Sequence, residues 1–242
     1  MKKSSQILWF VVLFSGLLTS LTAGWYVQAA RNYNYDFWYD WYDIGAHIEK
    51  FAPQNRYISG FEGLNKEAYS ALFADIVQAV HHQGEGLTDI RFTTASGQTK
   101  NLLRKAEVQH LQDVANLIEI VSFIGLTAAV IALVFGRGLI RRGIQPQWKT
   151  QGICLAVVAV VSGAVLLIAG PKAVFYQLHV WIFPENHEWF FYYQDSPMST
   201  LMKAPYLFGG IAVAILATGL IFFTLLLAAL LFWQRKQASS GL

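Results

Sequence analysis

Four long apolar runs constrain this chain more than anything else in it. Residues 7–29, 114–136, 150–170 and 206–233 each reach the roughly 18–20 apolar residues that a helix needs to cross a hydrocarbon core. Backbone N–H and C=O groups in hydrocarbon must be satisfied within the segment, so runs of this length are read as helices. Charge collects between them: only 14% of the 242 residues are charged, against about 25% in soluble domains. The expected fold class is an all-α membrane protein, four transmembrane helices with a small extracytoplasmic α+β cap, forming a single integral membrane domain over 1–242. The first run also has features of a secretory signal, with Lys2 and Lys3 ahead of it and "VQA" at its end. It exceeds the about 7–15 apolar residues of a signal core, so a retained helix is expected.

Basic residues set the orientation. Lys2, Lys3, Arg137, Arg141, Arg142, Lys149, Arg235 and Lys236 fall on one side if all four runs span. The outer loop 171–205 has only Lys172 and Lys203, and the outer cap 31–113 is too long to count. Both termini are therefore expected in the cytoplasm, with the cap and the 171–205 loop outside. These anchors account for the net charge of +3, and no nucleic-acid partner is implied. Cys154, the single cysteine, lies inside the third run, which excludes a disulfide framework and points to a packing residue.

Within the cap, "RNYNYDFWYDWYD" at 31–43 mixes Tyr and Trp with Asp and Asn, as residues of the headgroup layer do. Residues 65–82 carry Ala68, Leu72, Ile76, Ala79 and Val80 at helical spacing. "GEG" ends that helix, and "LTDIRFTTASGQTKNLL" alternates as strand, glycine turn and return strand. One helix and a hairpin are too small for a core of their own and are expected to pack on the helix ends. Repeats and low-complexity tracts are absent from the sequence.

The chemistry-bearing residues gather where the apolar runs meet the outside. Glu107, His110 and Asp113, spaced by three, share one side of a helix entering the second run. The segment "QLHVWIFPENHEWFFYYQD" at 177–195 places His179, Asn186, His187, Glu188 and Asp195 among aromatics. The topology puts His110 and His179 on the same outer face. Imidazole moves its proton near neutral pH, and a neighbouring carboxylate such as Asp113 can fix its tautomer and raise its basicity. Glu107 also suits the start of a helix, and Asp195 suits a turn before "SP". His47, His81, His82 and His187 read as solvated or structural. No zincin pair, GxSxG elbow, P-loop or dinucleotide fingerprint is present, since position 191 is Phe rather than the second His of HExxH. Three readings stand on these residues: an acid–base enzyme, a metal-dependent outer-face hydrolase using His110, His179 and a carboxylate, and a membrane scaffold or sensor.

The sequence resembles a known family at this point. "EVQHLQDV" at 107–114 is similar to the E-x-x-H-x-x-D-V signature of the bacterial lipoprotein intramolecular transacylases. The set His179, Phe183, Asn186, Trp189, Asp195, Pro205 and Phe208 is similar to that family's second outer segment. Leu178 stands where the family usually has Phe, and the aromatic run at 33–43 has no counterpart. The resemblance implies transfer of the sn-2 acyl chain of a diacylglyceryl lipoprotein to the α-amine of its own N-terminal cysteine, giving the lyso-form. It implies His110 and His179 as catalytic residues and Glu107 and Asp113 as supports. Asn186, Trp189 and Asp195 would be positioning or structural. No cofactor or metal, a bacterial cytoplasmic membrane location, lipoprotein and lipid partners, and no obligate protein partner follow from the same resemblance.

Overall fold

The computed structural model of the chain describes residues 3–239, so the anchor Lys2 lies outside them. The chain forms two compact units. The first contains residues 3–27, 121–170 and 213–239, and is built from helices α1 (Lys3–Ala29), α5 (Lys105–Arg141), α6 (Trp148–Ala169) and α9 (Tyr206–Ser239). Those four helices are long and apolar enough to cross a membrane, which matches the four expected runs. Pro146 and Gly143, at φ 65°, turn the chain between α5 and α6, and Gly170 and Pro171 end α6.

Packing in this unit uses small residues and buried amides rather than a large aromatic core. A Cβ on Gly24 would lie 2.8 Å from the Gly219 nitrogen, and one on Gly219 would lie 2.8 Å from Leu21 Cα. Such close approach gains dispersion contact where lipid supplies no hydrophobic drive between helices. Trp9, Val12 and Leu139 form a buried cluster, and Trp9 Nε1 donates to the Ile144 carbonyl at 3.1 Å. Buried Gln151 donates to the Gln6 carbonyl at 3.0 Å. The side chains of α6 remain mostly exposed, Leu167 and Ile168 among them, as a lipid-facing helix requires.

The second unit contains residues 28–120 and 171–212. It holds α2 (Tyr35–Trp41), α3 (Ile44–Phe51), α4 (Lys66–His81), β1 (Arg91–Thr93), β2 (Thr99–Asn101), the first turns of α5, α7 (Pro171–Ile182), α8 (Pro197–Met202) and the start of α9. Asn65 caps α4, its side chain accepting from Ala68 N–H at 2.9 Å. Leu72, Ile76, Ala79 and Val80 are buried as their spacing predicts. The strands pair antiparallel, Phe92 opposite Lys100, around a turn with Gly97 at φ 81°.

Three expectations need correction here. The cap does have a core: Tyr35, Ile44, Ile48, Phe61, Phe73, Ile76, Leu87, Phe92 and Leu102 are buried, joined by all of α8. The aromatic run at 31–43 contributes to it. Tyr35 is 1% exposed, stacks on Phe73 at 4.4 Å and donates its hydroxyl hydrogen to the Leu201 carbonyl at 2.8 Å. Only part of the run, such as Phe37 and Trp41, is exposed as a headgroup belt would be. The 171–205 segment is likewise more than a loop, since it holds α7 and α8.

Candidate active site

The site lies within the second unit, where α5, α7 and residues 183–196 meet. Glu107 anchors the start of α5. Its Oε2 accepts from the Arg104 backbone N–H at 2.7 Å, closing the first turn. Its Oε1 accepts from the Ser196 hydroxyl at 2.5 Å and from the Met198 N–H at 3.3 Å. The fully buried carboxylate thus caps the helix and clamps α8 to it.

One turn further along α5 stands His110. Its ring centroid is 6.1 Å from that of His179, with the planes 31° apart. The sequence-expected pair is therefore brought together. Aromatics enclose it: Phe183 and Phe191 lie 5.0 and 5.9 Å from His110. Phe175, Trp189 and Phe183 lie 4.1, 5.0 and 5.1 Å from His179.

The two rings differ in their polar contacts. His179 Nδ1 is 2.8 Å from the Phe175 carbonyl oxygen, which can only accept. Nδ1 must carry the hydrogen, so the neutral ring keeps its lone pair on Nε2. Burial holds His179 below the ordinary histidine value of 6.5, and the carbonyl hydrogen bond works the other way. His110 Nδ1 is buried and has no hydrogen-bond partner among the described residues. Buried polar atoms are seldom left so, and a substrate's polar group entering the cage would satisfy this one. Together they make a partly desolvated site in which the His179 lone pair on Nε2 can accept a proton.

The supporting residues fall differently from expectation. Asp113 is hydrogen-bonded to His187 rather than to His110: Nδ1 of His187 donates to Asp113 Oδ2 at 2.7 Å. Position 187, read as solvated or structural from the sequence, is tied to the signature helix. Trp189 packs on His179, with ring centroids 5.0 Å apart. Asn186 is exposed on the turn between them. Asp195 accepts from both Arg56 Nε and Nη2, at 2.6 and 2.5 Å, which fastens residues 53–57 to the end of the segment. Sequence reasoning missed Arg56, and no local signal marks it, because its partner is 139 residues away. Arg104 was also missed; its guanidinium lies over Tyr57 at 4.5 Å and Phe191 at 6.0 Å. Among the described residues no group of three or more His, Cys, Asp or Glu side chains is placed to hold a metal ion.

The sequence model of the family described as "Lipoprotein intramolecular transacylase Lit" matches residues 7–207. The chain belongs to that family. It is an integral-membrane acyltransferase whose substrates are lipoproteins. Solved structures of the Bacillus cereus lipoprotein intramolecular transacylase share its fold. One aligns at TM-score 0.70 and 15% identity, covering 99% of this chain and 100% of that one. Two point variants of the same protein align at 0.71 and 0.72, also at 15% identity, covering 98% of this chain and 95% and 96% of theirs. No curated protein matches the sequence.

Proposed function

We propose that this transacylase moves the sn-2 acyl chain of a diacylglyceryl lipoprotein to the α-amine of that lipoprotein's N-terminal cysteine, with His110 and His179 as its acid–base pair. The observation that carries this reading is the pair of imidazoles in one aromatic cage, with the His179 lone pair left on Nε2 by the Phe175 carbonyl. The amine nitrogen bonds to the ester carbonyl carbon, and the bond from that carbon to the sn-2 oxygen breaks. His179 Nε2 takes the proton the amine loses. That proton is relayed from His179 to His110, which donates it to the departing glyceryl oxygen, so both imidazoles end neutral and the reaction balances without another reactant. The product is a lyso-form lipoprotein with an N-acylated cysteine.

Both reacting groups belong to one molecule, so the protein's main task is to hold them in a near-attack arrangement. Such positioning contributes about 7–11 kcal/mol in favourable cases. No covalent nucleophile is needed on that account. Phe175, Phe183, Trp189 and Phe191 present an apolar wall suited to acyl chains and exclude water from the developing charges. Glu107 fixes the helix that carries His110. Asp195, through Arg56, fixes the far end of the aromatic segment. Asn186, exposed on the turn before His187, would position the substrate's polar groups. In the cell membrane of a bacterium this site faces outward and both termini face the cytoplasm.

The test is mass spectrometry of one lipoprotein N-terminus from cells with and without the protein. The expected result is an unchanged total acyl mass, with fragmentation moving one chain from glycerol to the amine. An unaltered fragmentation pattern would remove the reading.

A further inference from the structure

We infer that His187, held by Asp113, is a positioning residue for the transfer reaction, its hydrogen bond keeping residues 183–191 closed on the His110–His179 pair. The inference rests on the acid–base reading of that pair. Residues 183–191 supply Phe183, Trp189 and Phe191, three of the side chains that cage the imidazoles. The segment has no helix or strand of its own. Its geometry must come from specific ties, because an irregular segment lacks a ladder to hold it.

Those ties are few. Within the segment, the His187 N–H bonds to the Pro184 carbonyl at 3.0 Å and shapes a local turn. Pro184, Glu185, Asn186 and Glu188 are exposed, so the turn is not held by burial of its tip. His187 Nδ1 reaches Asp113 at 2.7 Å across 74 residues of sequence. Asp113 stands one turn beyond His110 on α5, so the bond references the segment to the helix that carries a reacting imidazole. Side-chain exposure of 26% for His187 and 10% for Asp113 makes the bond part-buried. Such a bond is stronger and better defined than an exposed ion pair. Trp189 follows two residues later and lies on His179. Releasing His187 frees the ring that holds the second imidazole in place.

Kinetics of acyl migration on purified, detergent-solubilised protein with a synthetic diacylglyceryl-cysteine peptide decide the matter. His187→Ala and Asp113→Ala should each lower kcat about 10–100-fold, the range that sub-ångström to 1 Å misplacement causes, with little change in KM. The double variant should be no slower than either single one, because both remove the same bond. His187→Asn should stay within about threefold of wild type, since its amide nitrogen takes the place of Nδ1 and still donates to the carboxylate. Should His187→Ala fail to accumulate, the near-isosteric Asp113→Asn decides instead. It exchanges a charged acceptor for a neutral one and should lower kcat about fivefold. The inference is wrong if His187→Ala keeps kcat within twofold, if the single effects multiply, if His187→Asn is as slow as His187→Ala, or if a folded Asp113→Asn is unimpaired where it must decide. His110→Ala and His179→Ala in the same assay keep the two ideas apart. Their retaining activity would sink the acid–base reading, whereas their loss beside a neutral His187→Ala would sink this inference alone.

Discussion

At the scale of single residues, the central issue is whether two imidazoles 6.1 Å apart in one aromatic cage act as a unit. His110→Ala and His179→Ala should each reduce lyso-form production by about 10²–10⁴-fold, the usual contribution of a general acid–base group. The double variant should be little worse than either, since groups acting together are non-additive. Insertion and purification yield should remain normal; near-normal transfer by folded His179→Ala would contradict the assignment. The pH profile separates the two nitrogen bases involved. The substrate amine must be neutral to attack, with an ordinary value of about 7.7–8.0. His179 must also be neutral, and burial lowers it below 6.5. Log kcat/KM should rise with slope two at low pH, break to slope one at a point below 6.5, and level near the amine's value. A break at or above 6.5 would mean that the base is not the buried His179.

At the scale of elements, legibility follows how local the determining signal is. The four apolar helices were visible because spanning demands contiguous residues, and α4 because its buried positions recur at helical spacing. The 91–101 hairpin was visible through Gly97. α2 and α3 were not: Asn32, Tyr33, Asn34 and Asp43 adopt left-handed conformations that cut one aromatic run into short helices. That chain reversal buries Tyr35, which a headgroup-belt reading does not foresee. The same limit applies to the site. Spacing marked Glu107, His110 and Asp113, and topology marked His179, but only tertiary structure assigns Asp113 to His187 and Asp195 to Arg56.

The element α3 carries a further testable consequence. Its His47 is buried, with no hydrogen-bond partner for Nε2 among the described residues and the ring 4.3 Å from that of Tyr193. Burial, helped by Lys203 and Lys50, pulls its pKa down to about 4. Between about 4 and 6.5 the unfolded chain binds this proton and the native state does not, so stability falls as pH drops through that window. The loss is on the order of 3 kcal/mol by pH 4. Thermal unfolding in detergent should therefore show a lower Tm at pH 4.5 than at pH 7. His47→Phe, which keeps the ring contact with Tyr193 and Phe51 but cannot titrate, should reduce that difference. An equal pH dependence in His47→Phe would show that other groups govern it.

At the scale of the whole molecule, the fold and the family are settled while the direction of insertion rests on charge. Arg137, Arg141, Arg142 and Lys149 crowd the connection between α5 and α6, and Arg235 and Lys236 lie near the end of α9. Cytoplasmic loops carry such excesses because translocating basic residues is unfavourable. With four spans, the expectation from that rule is that both termini and the 142–147 connection share the cytoplasmic side, and that His110 and His179 lie outside. Single cysteines in a Cys154→Ser background, treated in intact cells with a membrane-impermeant maleimide, read this directly. Ser96→Cys, beside the hairpin turn, and Glu188→Cys, on the exposed turn next to His187, should label without permeabilisation. Arg142→Cys should label only after the membrane is opened. Glu188→Cys carries the most weight, because it lies on the segment that cages the imidazoles. If positions 96 and 188 labelled from opposite sides, α5 and α7 could not present their histidines to one substrate, and the shared site would fall together with the orientation.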